Sequence, residues 1–171
     1  MVTLRPALVS EAENFAELAR RAFIEAYFET ETMEELVTFC VTHFSVEKVL
    51  SDLQNADYQH VVAFLDQKMV GYLKLNLSIL PDGTRDGSSL QIHRIYVLRD
   101  FWAHKIGAAL MTKSIETARQ LGSARLWLVV YNKNLRAQDF YKKWGFEQTG
   151  TYDFDFNGTI HKDLLLELPV S

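Results

Sequence analysis

The stretch Arg99 to Met111, RDFWAHKIGAALM, follows an apolar run from Ile92 to Leu98 and opens a helical pattern. A helix that begins just after a strand presents unpaired backbone N–H groups and the positive end of its dipole, which together attract an anion. Gly107 lets a phosphate approach the main chain, Ala103, Ala108 and Ala109 are too small to block it, and Lys105 adds a positive charge. With one glycine the stretch, taken alone, reads first as an ordinary strand-to-helix connection. A second feature is the run from residue 25 to 35, EAYFETETMEE, in which Glu25, Glu29, Glu31, Glu34 and Glu35 have no base among them. It reads as a solvated helix end or as a negative rim that draws in a cation. Phe140, Tyr141 and Trp144 by themselves read as a packing stripe, and Cys40, inside the apolar pattern EELVTFCVTHF, reads as core.

The elements that would position these residues belong to a chain of 171 residues, 48% apolar and 23% charged, which is a globular composition with length for one domain. Its apolar runs are short and broken by charge, so no membrane span is expected. The first residues lack an uninterrupted apolar stretch, so no secretory signal is expected. A single cysteine forms no internal disulfide and fits a reducing cytoplasm. A net charge of −4 argues against a nucleic-acid partner.

Residues 2 to 6 read as a strand. SEAENFAELARRAFIEAYF follows as a helix, with Ser10 as its cap and Glu13 completing a capping box. Further helical patterns cover Met33 to His43 and, from a Ser45 cap, SVEKVLSDLQ. Two runs rich in Val, Leu and aromatics around Asp66-Gln67-Lys68 predict a hairpin. Ile79 to Ser89 reads as a surface loop. LQIHRIYVL then predicts a strand, IGAALMTKSIETARQLG a helix closed by Gly122, ARLWLVVY a strand, and NLRAQDFYKKWG a helix ended by Gly145. The last two strands are joined through Asn157-Gly158, a pair that favours a two-residue type I′ turn. No repeat or linker divides the chain, which predicts a single domain over residues 1–171. The order predicts an α+β fold: a mixed sheet with helices on both faces, and a ligand beyond the carboxyl ends of its parallel strands.

The segment RIYVLRDFWAHKIGAALM resembles the coenzyme-A motif of the GNAT superfamily of N-acetyltransferases, in which a strand ending in Val leads to Gln/Arg-x-x-Gly-x-Gly/Ala and a helix. Aligned on Val97, the family's Gln/Arg falls on Trp102, its first glycine on Lys105 and its second small residue on Gly107, so two of these positions are altered. NKNLRAQDFYKKWGF is similar to the second family motif through Asn134, Ala137, Phe140, Tyr141, Gly145 and Phe146, and GTIHKDLLLEL fits the family's last strand. The bacterial polyamine and diamine acetyltransferases look most alike, through RIYV and the paired N-terminal helices.

The resemblance implies an α/β/α sandwich whose mostly antiparallel sheet splays in a V between two central parallel strands. It implies transfer of acetyl from acetyl-CoA, as co-substrate and with no metal, to a primary amine in a ternary complex. The acceptor it suggests is a small cationic amine such as a polyamine. The diphosphate would be held by the amides of Ala103, His104, Lys105, Ile106, Gly107 and Ala108, and the pantetheine arm by backbone groups of Ile95, Tyr96 and Val97. Asn134 would fix the pantetheine or the helix N-terminus. Tyr141 would lie beside the thioester sulphur and donate a hydrogen bond to the developing thiolate. Lys105 is tolerated there if its backbone is helical, and Trp102 either stacks on adenine or packs against the sheet. Many relatives carry Glu on the strand where this chain has Gln91 and His93, on one face. His93, with an ordinary pKa near working pH, is the candidate base. A catalytically weak acyl-CoA-binding sensor module is the rival reading, kept open by Trp102 and Lys105. A nucleotide-binding regulator is disfavoured because the chain has neither a P-loop lysine–serine pair nor a G-x-G-x-x-G turn. Exposed sheet edges, and the strand from Tyr152 to Phe156, allow a homodimer.

Overall fold

The computed structural model describes residues 1–171. Its elements are β1 (Val2–Pro6), α1 (Ala12–Tyr27), α2 (Met33–His43), α3 (Val46–Gln54), β2 (Tyr58–Leu65), β3 (Lys68–Ile79), β4 (Arg85–Val97), α4 (Ile106–Gln120), β5 (Arg125–Val130), α5 (Leu135–Lys143), β6 (Glu147–Phe156) and β7 (Thr159–Pro169). They form one seven-stranded sheet in the order β1-β2-β3-β4-β5-β7-β6. Every neighbouring pair is antiparallel except β4 and β5.

Alternation along β3 sends Tyr72 to one face and Leu73 and Leu75 to the other, so two cores form. On the first face Phe15, Ala19, Phe23, Leu36, Phe39 and Val49 of α1, α2 and α3 pack over Val62 and Tyr72. On the second, Ile106, Leu110 and Met111 of α4 and Tyr141 of α5 cover Leu73, Leu75, Leu90 and Ile92. Cys40 is buried in the first core, and burial pushes its thiol up to about 11, so it stays protonated. No helix is long and apolar enough to cross a membrane.

Three sequence expectations move. Ser10 does not cap α1: Val9–Glu11 forms a 3-10 turn, and Glu11 accepts from the Leu8 amide at 2.9 Å while paired with Arg5 at 3.0 Å. The cap position of α1 falls on Glu11, one residue beyond Ser10, with no side-chain bond to the helix. The expected loop from Ile79 to Ser89 is shorter, because β4 already begins at Arg85. A 3-10 helix over Arg99–His104 separates β4 from α4, so the helix does not follow the strand directly. Ser45 does cap α3, accepting from the Lys48 amide at 3.2 Å, and Asn157 and Gly158 take the positive φ of the expected turn.

The sheet opens at its centre. β4 and β5 pair only from Ser89 to Gln91 against Arg125 to Trp127. Beyond that point β4 stays with β3 as far as Val97 opposite Gly71, and β5 stays with β7 as far as Val130 opposite Leu164. A bulge accompanies the parting: Arg94 lies opposite Lys74 and Ile92 opposite Leu75, which leaves His93 without a partner in β3. Ile92 packs in the α4 core, while Arg94 lies over Phe44, at 4.5 Å, and His93 stacks on Tyr58, at 6.2 Å, on the other face. The bulge thus adds Arg94 to the face that Gln91 and His93 share.

Gly71 holds the end of β4 in place. A Cβ there would stand 2.8 Å from the Tyr96 carbonyl oxygen. Gly71→Ala is therefore expected to lower stability by about 1–3 kcal/mol, read by urea unfolding; an unchanged midpoint would show that β4 yields freely at this point.

Candidate functional site

The parting of β4 and β5 creates a cleft of about 860 Å³. Its walls are Ile92 to Val97 on one side and Leu128 to Val130 on the other, and it ends against the first turn of α4 and against α5. In an antiparallel pair alternate backbone groups face away from the partner strand, so those of β4 past Gln91 point into the gap. One of its carbonyls, that of Val97, accepts from the indole Nε1 of Trp102 at 2.8 Å.

At the far end lie the amides of Ile106, Gly107 and Ala108, which an α-helix leaves without acceptors in its first turn. The first bond of that turn runs from Ala109 N to the Lys105 carbonyl at 3.1 Å. Lys105 itself has φ 59° and ψ 22°. The condition under which a lysine would be tolerated here, a helical backbone, is not met: the residue takes the left-handed conformation that a glycine adopts freely, and a lysine holds it at a cost of roughly 1–2 kcal/mol. Of the residues expected at the coenzyme, Ile95, Tyr96, Val97, Lys105, Gly107, Ala108, Asn134 and Tyr141 line the cleft, with His93 at its inner end. Ala103 and His104 belong to the 3-10 turn and do not, and Ile106 buries its side chain in the core.

The cleft is cationic. Arg99, Lys105, Lys133, Arg136 and Lys143 line it. The guanidinium of Arg136 lies 3.4 Å over the Trp102 ring and that of Arg99 lies 5.2 Å from it. Trp102 therefore packs between cations and the sheet. Burial and the charge of Arg99 hold Arg136 below its usual pKa, the condition of a cation short of a counter-ion. Arg99 is fixed from the other side, its amide donating to Glu25 at 2.6 Å and its guanidinium pairing with Glu29 at 2.8 Å. Arg136 was invisible to the motif, yet it stands in the first turn of α5, where a helix dipole disfavours a cation. That misplacement is a sequence signal for an anion nearby.

Tyr141 is 9% exposed, packed against Phe140 and Phe146, and its hydroxyl makes no hydrogen bond within the chain. Burial raises its pKa, so the phenol holds its proton firmly. Asn134 caps α5, its Oδ1 accepting from the Ala137 amide at 3.2 Å.

A smaller pocket of about 170 Å³ opens from the inner end of the cleft and shares Tyr27, His93, Arg94, Tyr96 and Val129 with it. Aromatic rings form most of its wall, among them Phe39, Tyr131, Phe154, Phe156 and His161. The hydroxyls of Tyr27 and Tyr96 lie 3.0 Å apart at the junction. His93 is half-buried with its Nδ1 enclosed and without a partner. Burial, then the charges of Arg94 and Lys74, push its pKa well below the ordinary value, in place of the expected titration near neutrality. The acidic run from residue 25 divides its work: Glu25 and Glu29 hold Arg99, Glu35 caps α2 through the Thr32 amide at 3.1 Å, and Glu31 lines the pocket, accepting from the Tyr131 hydroxyl.

Comparison with known proteins bears on this arrangement. The model of the "Acetyltransferase (GNAT) family" matches residues 13–146. An uncharacterised N-acetyltransferase of Mycobacterium tuberculosis is 28% identical over 158 residues, covering 92% of this chain and 97% of that protein. The PaiA N-acetyltransferase of Thermoplasma acidophilum, solved in complex with coenzyme A, superimposes with a TM-score of 0.81 at 22% identity over 99% of each chain. An acetyltransferase from Thermus thermophilus does so with a TM-score of 0.65 at 20% identity, over 99% of this chain and 97% of the other.

The two novelties of the turn can be tested apart. Lys105→Gly is expected to stabilise the protein by about 1 kcal/mol through relief of the backbone, and Lys105→Asn, which tolerates the same conformation, by less. Both should weaken coenzyme-A binding about equally, near tenfold or about 1.4 kcal/mol, in titration calorimetry. Full affinity in either variant would show that the lysine charge does not reach the diphosphate.

Proposed function

We propose, on the premise that this chain belongs to the acetyltransferase (GNAT) family, that it moves the acetyl group of acetyl-CoA onto the primary amine of a small cationic acceptor such as a polyamine. The observation that carries this reading is the continuity of the two cavities: a cationic cleft ending on the free amides of α4 meets an aromatic pocket at His93, Arg94 and Tyr96. Acetyl-CoA supplies an activated acyl group as its thioester. The chain supplies the rest.

The amides of Ile106, Gly107 and Ala108, with Lys105, Arg99 and Arg136 around them, hold the diphosphate. The open edge of β4 at Ile95 to Val97 aligns the pantetheine arm and offers donors to the carbonyl oxygen as charge develops there. Asn134 secures the start of α5 and thereby the position of Tyr141. The unpaired Tyr141 hydroxyl donates to the departing thiolate. A free phenol already exceeds a thiol by roughly 1.5 pKa units, about 2 kcal/mol. Burial raises Tyr141 further, so hydrogen-bond donation comes first and proton transfer late.

The attacking amine must be neutral. An alkylammonium of pKa near 10.4 is so about one part in 10³ at pH 7, a penalty of about 4–5 kcal/mol. The His93 ring, its Nδ1 enclosed, stays neutral and adds no positive charge at the junction where the amine arrives. Because its pKa lies far down, His93 adds no titration near neutrality, and kcat/KM should climb about tenfold per pH unit below the amine's pKa. A module that binds acyl-CoA without transfer is the second reading, favoured by Trp102 and Lys105 at altered motif positions. The first reading also sets the chain in a reducing cytoplasm and lets two copies pair along the free edge of β6.

Free-thiol release from acetyl-CoA against a panel of amines tests this directly. Tyr141→Phe is expected to lower kcat by about 10²-fold or more with coenzyme-A affinity unchanged. Amine-dependent release at the full rate in that variant would remove the tyrosine from the mechanism, and no release with any amine would leave the binding module.

A further inference from the structure

The inner pocket holds two carboxylates and no cation pairs with either. Asp163 on β7 is 4% exposed. Its Oδ1 accepts from the backbone amide and Nδ2 of Asn132, at 3.2 and 3.4 Å, while its other oxygen bonds nothing in the chain. Glu31 reaches the same pocket from the connection between α1 and α2, and is held there by the Tyr131 hydroxyl. Neither makes an ion pair with lysine or arginine; the adjacent Lys162 turns outward to Asp153, at 3.5 Å. His161 stacks its ring on Tyr131, at 5.3 Å. A desolvated carboxylate without a counter-ion is costly, so its retention asks for one.

The walls suit a cation that carries methylenes. Tyr27 and Tyr131 meet edge to face with centroids 5.9 Å apart, and Phe156 lies 5.4 Å from His161. Ring faces attract ammonium groups and cover apolar stems. At the opposite end stands Arg94, which lines both cavities, rests over Phe44 and has no carboxylate partner. The pocket is therefore graded, negative at Asp163 and Glu31 and positive where it meets the cleft.

We propose that this gradient receives an α,ω-diamine lengthwise, its distal ammonium on Asp163 and Glu31 and its reacting nitrogen beside Arg94. This deepens the acetyl-transfer reading and rests on it for the identity of the reacting end. A fixed guanidinium repels a proton on the nitrogen next to it, so Arg94 favours the neutral amine that attack requires. Asp163 is primed for its part: burial, opposed by the Asn132 amide, and the charge of Glu31 hold its pKa above the usual carboxylate range, and an arriving ammonium would relieve both.

The experiment compares diaminoalkanes of three to six carbons with n-alkylamines of equal length in the wild type, Asp163→Asn and Glu31→Gln. Within each protein the ratio of diamine to monoamine kcat/KM is taken, so a general loss of rate cancels, and thermal unfolding with coenzyme-A titration verifies folding. The wild-type ratio should exceed tenfold, collapse toward one in Asp163→Asn mainly through KM, and fall less in Glu31→Gln. Calorimetry of diamine into the coenzyme-saturated protein gives an independent reading, with binding lost in Asp163→Asn. A protein that acetylates amines with a ratio near one, or keeps its ratio in both variants, overturns the proposal while leaving the activity intact. Diamine binding through Asp163 without acetyl transfer would keep the subsite and remove the activity, and no diamine binding together with no transfer would overturn both.

Discussion

The functional architecture depends on one interrupted pairing. β4 and β5 separate after Gln91 and Trp127, and everything beyond is built from what that separation exposes. A parallel pair carried to full length would satisfy the backbone of β4 and close the cleft. Each strand instead keeps its outer neighbour, β3 or β7, so the sheet survives the opening while the inner edges stay available. The bulge at His93 belongs to the same device, because it re-aims His93 and Arg94 toward the pocket just where the strands part.

Charge is distributed around that opening by burial as much as by sequence. Beneath the bulge Lys74, 2% exposed, pairs with Asp52 at 2.8 Å and lies 4.0 Å from the Tyr58 ring. Burial and the charge of Arg94 bring Lys74 down to about 8, even with its partner in place. His60 falls to about 4 and His93 well below its usual value for the same reasons. His60 and His93 are thus neutral, in a field that disfavours a further proton. That field sits where the inner pocket meets the cleft, and Asp163 and Glu31 line the same pocket.

Most of the fold was legible because local periodicity and turn chemistry agree with the tertiary structure. Gly122 and Gly145 close their helices, and Asn157-Gly158 makes its turn, with positive φ in each case. Where a motif ties a residue to a helix, its position could be read in advance: Asn134 at the start of α5 and Tyr141 within it both line the cleft. The site was illegible where function arises between elements. Asp163 lies on β7 and Tyr131 just past the end of β5, and they meet Glu31 only after folding. The pKa of His93 depends on Arg94 and Lys74, which no spacing rule weighs. Lys105 resisted for a different reason: sequence gives no warning that a lysine holds a left-handed backbone until the turn around it is seen.

The most direct test is residue-resolved amide hydrogen exchange with and without saturating acetyl-CoA. Slowed exchange confined to Ile106–Ala108 and to the open edge of β4 is the outcome that the cleft geometry requires. Exchange unchanged at both places, in a protein that nonetheless binds the coenzyme, would contradict the account.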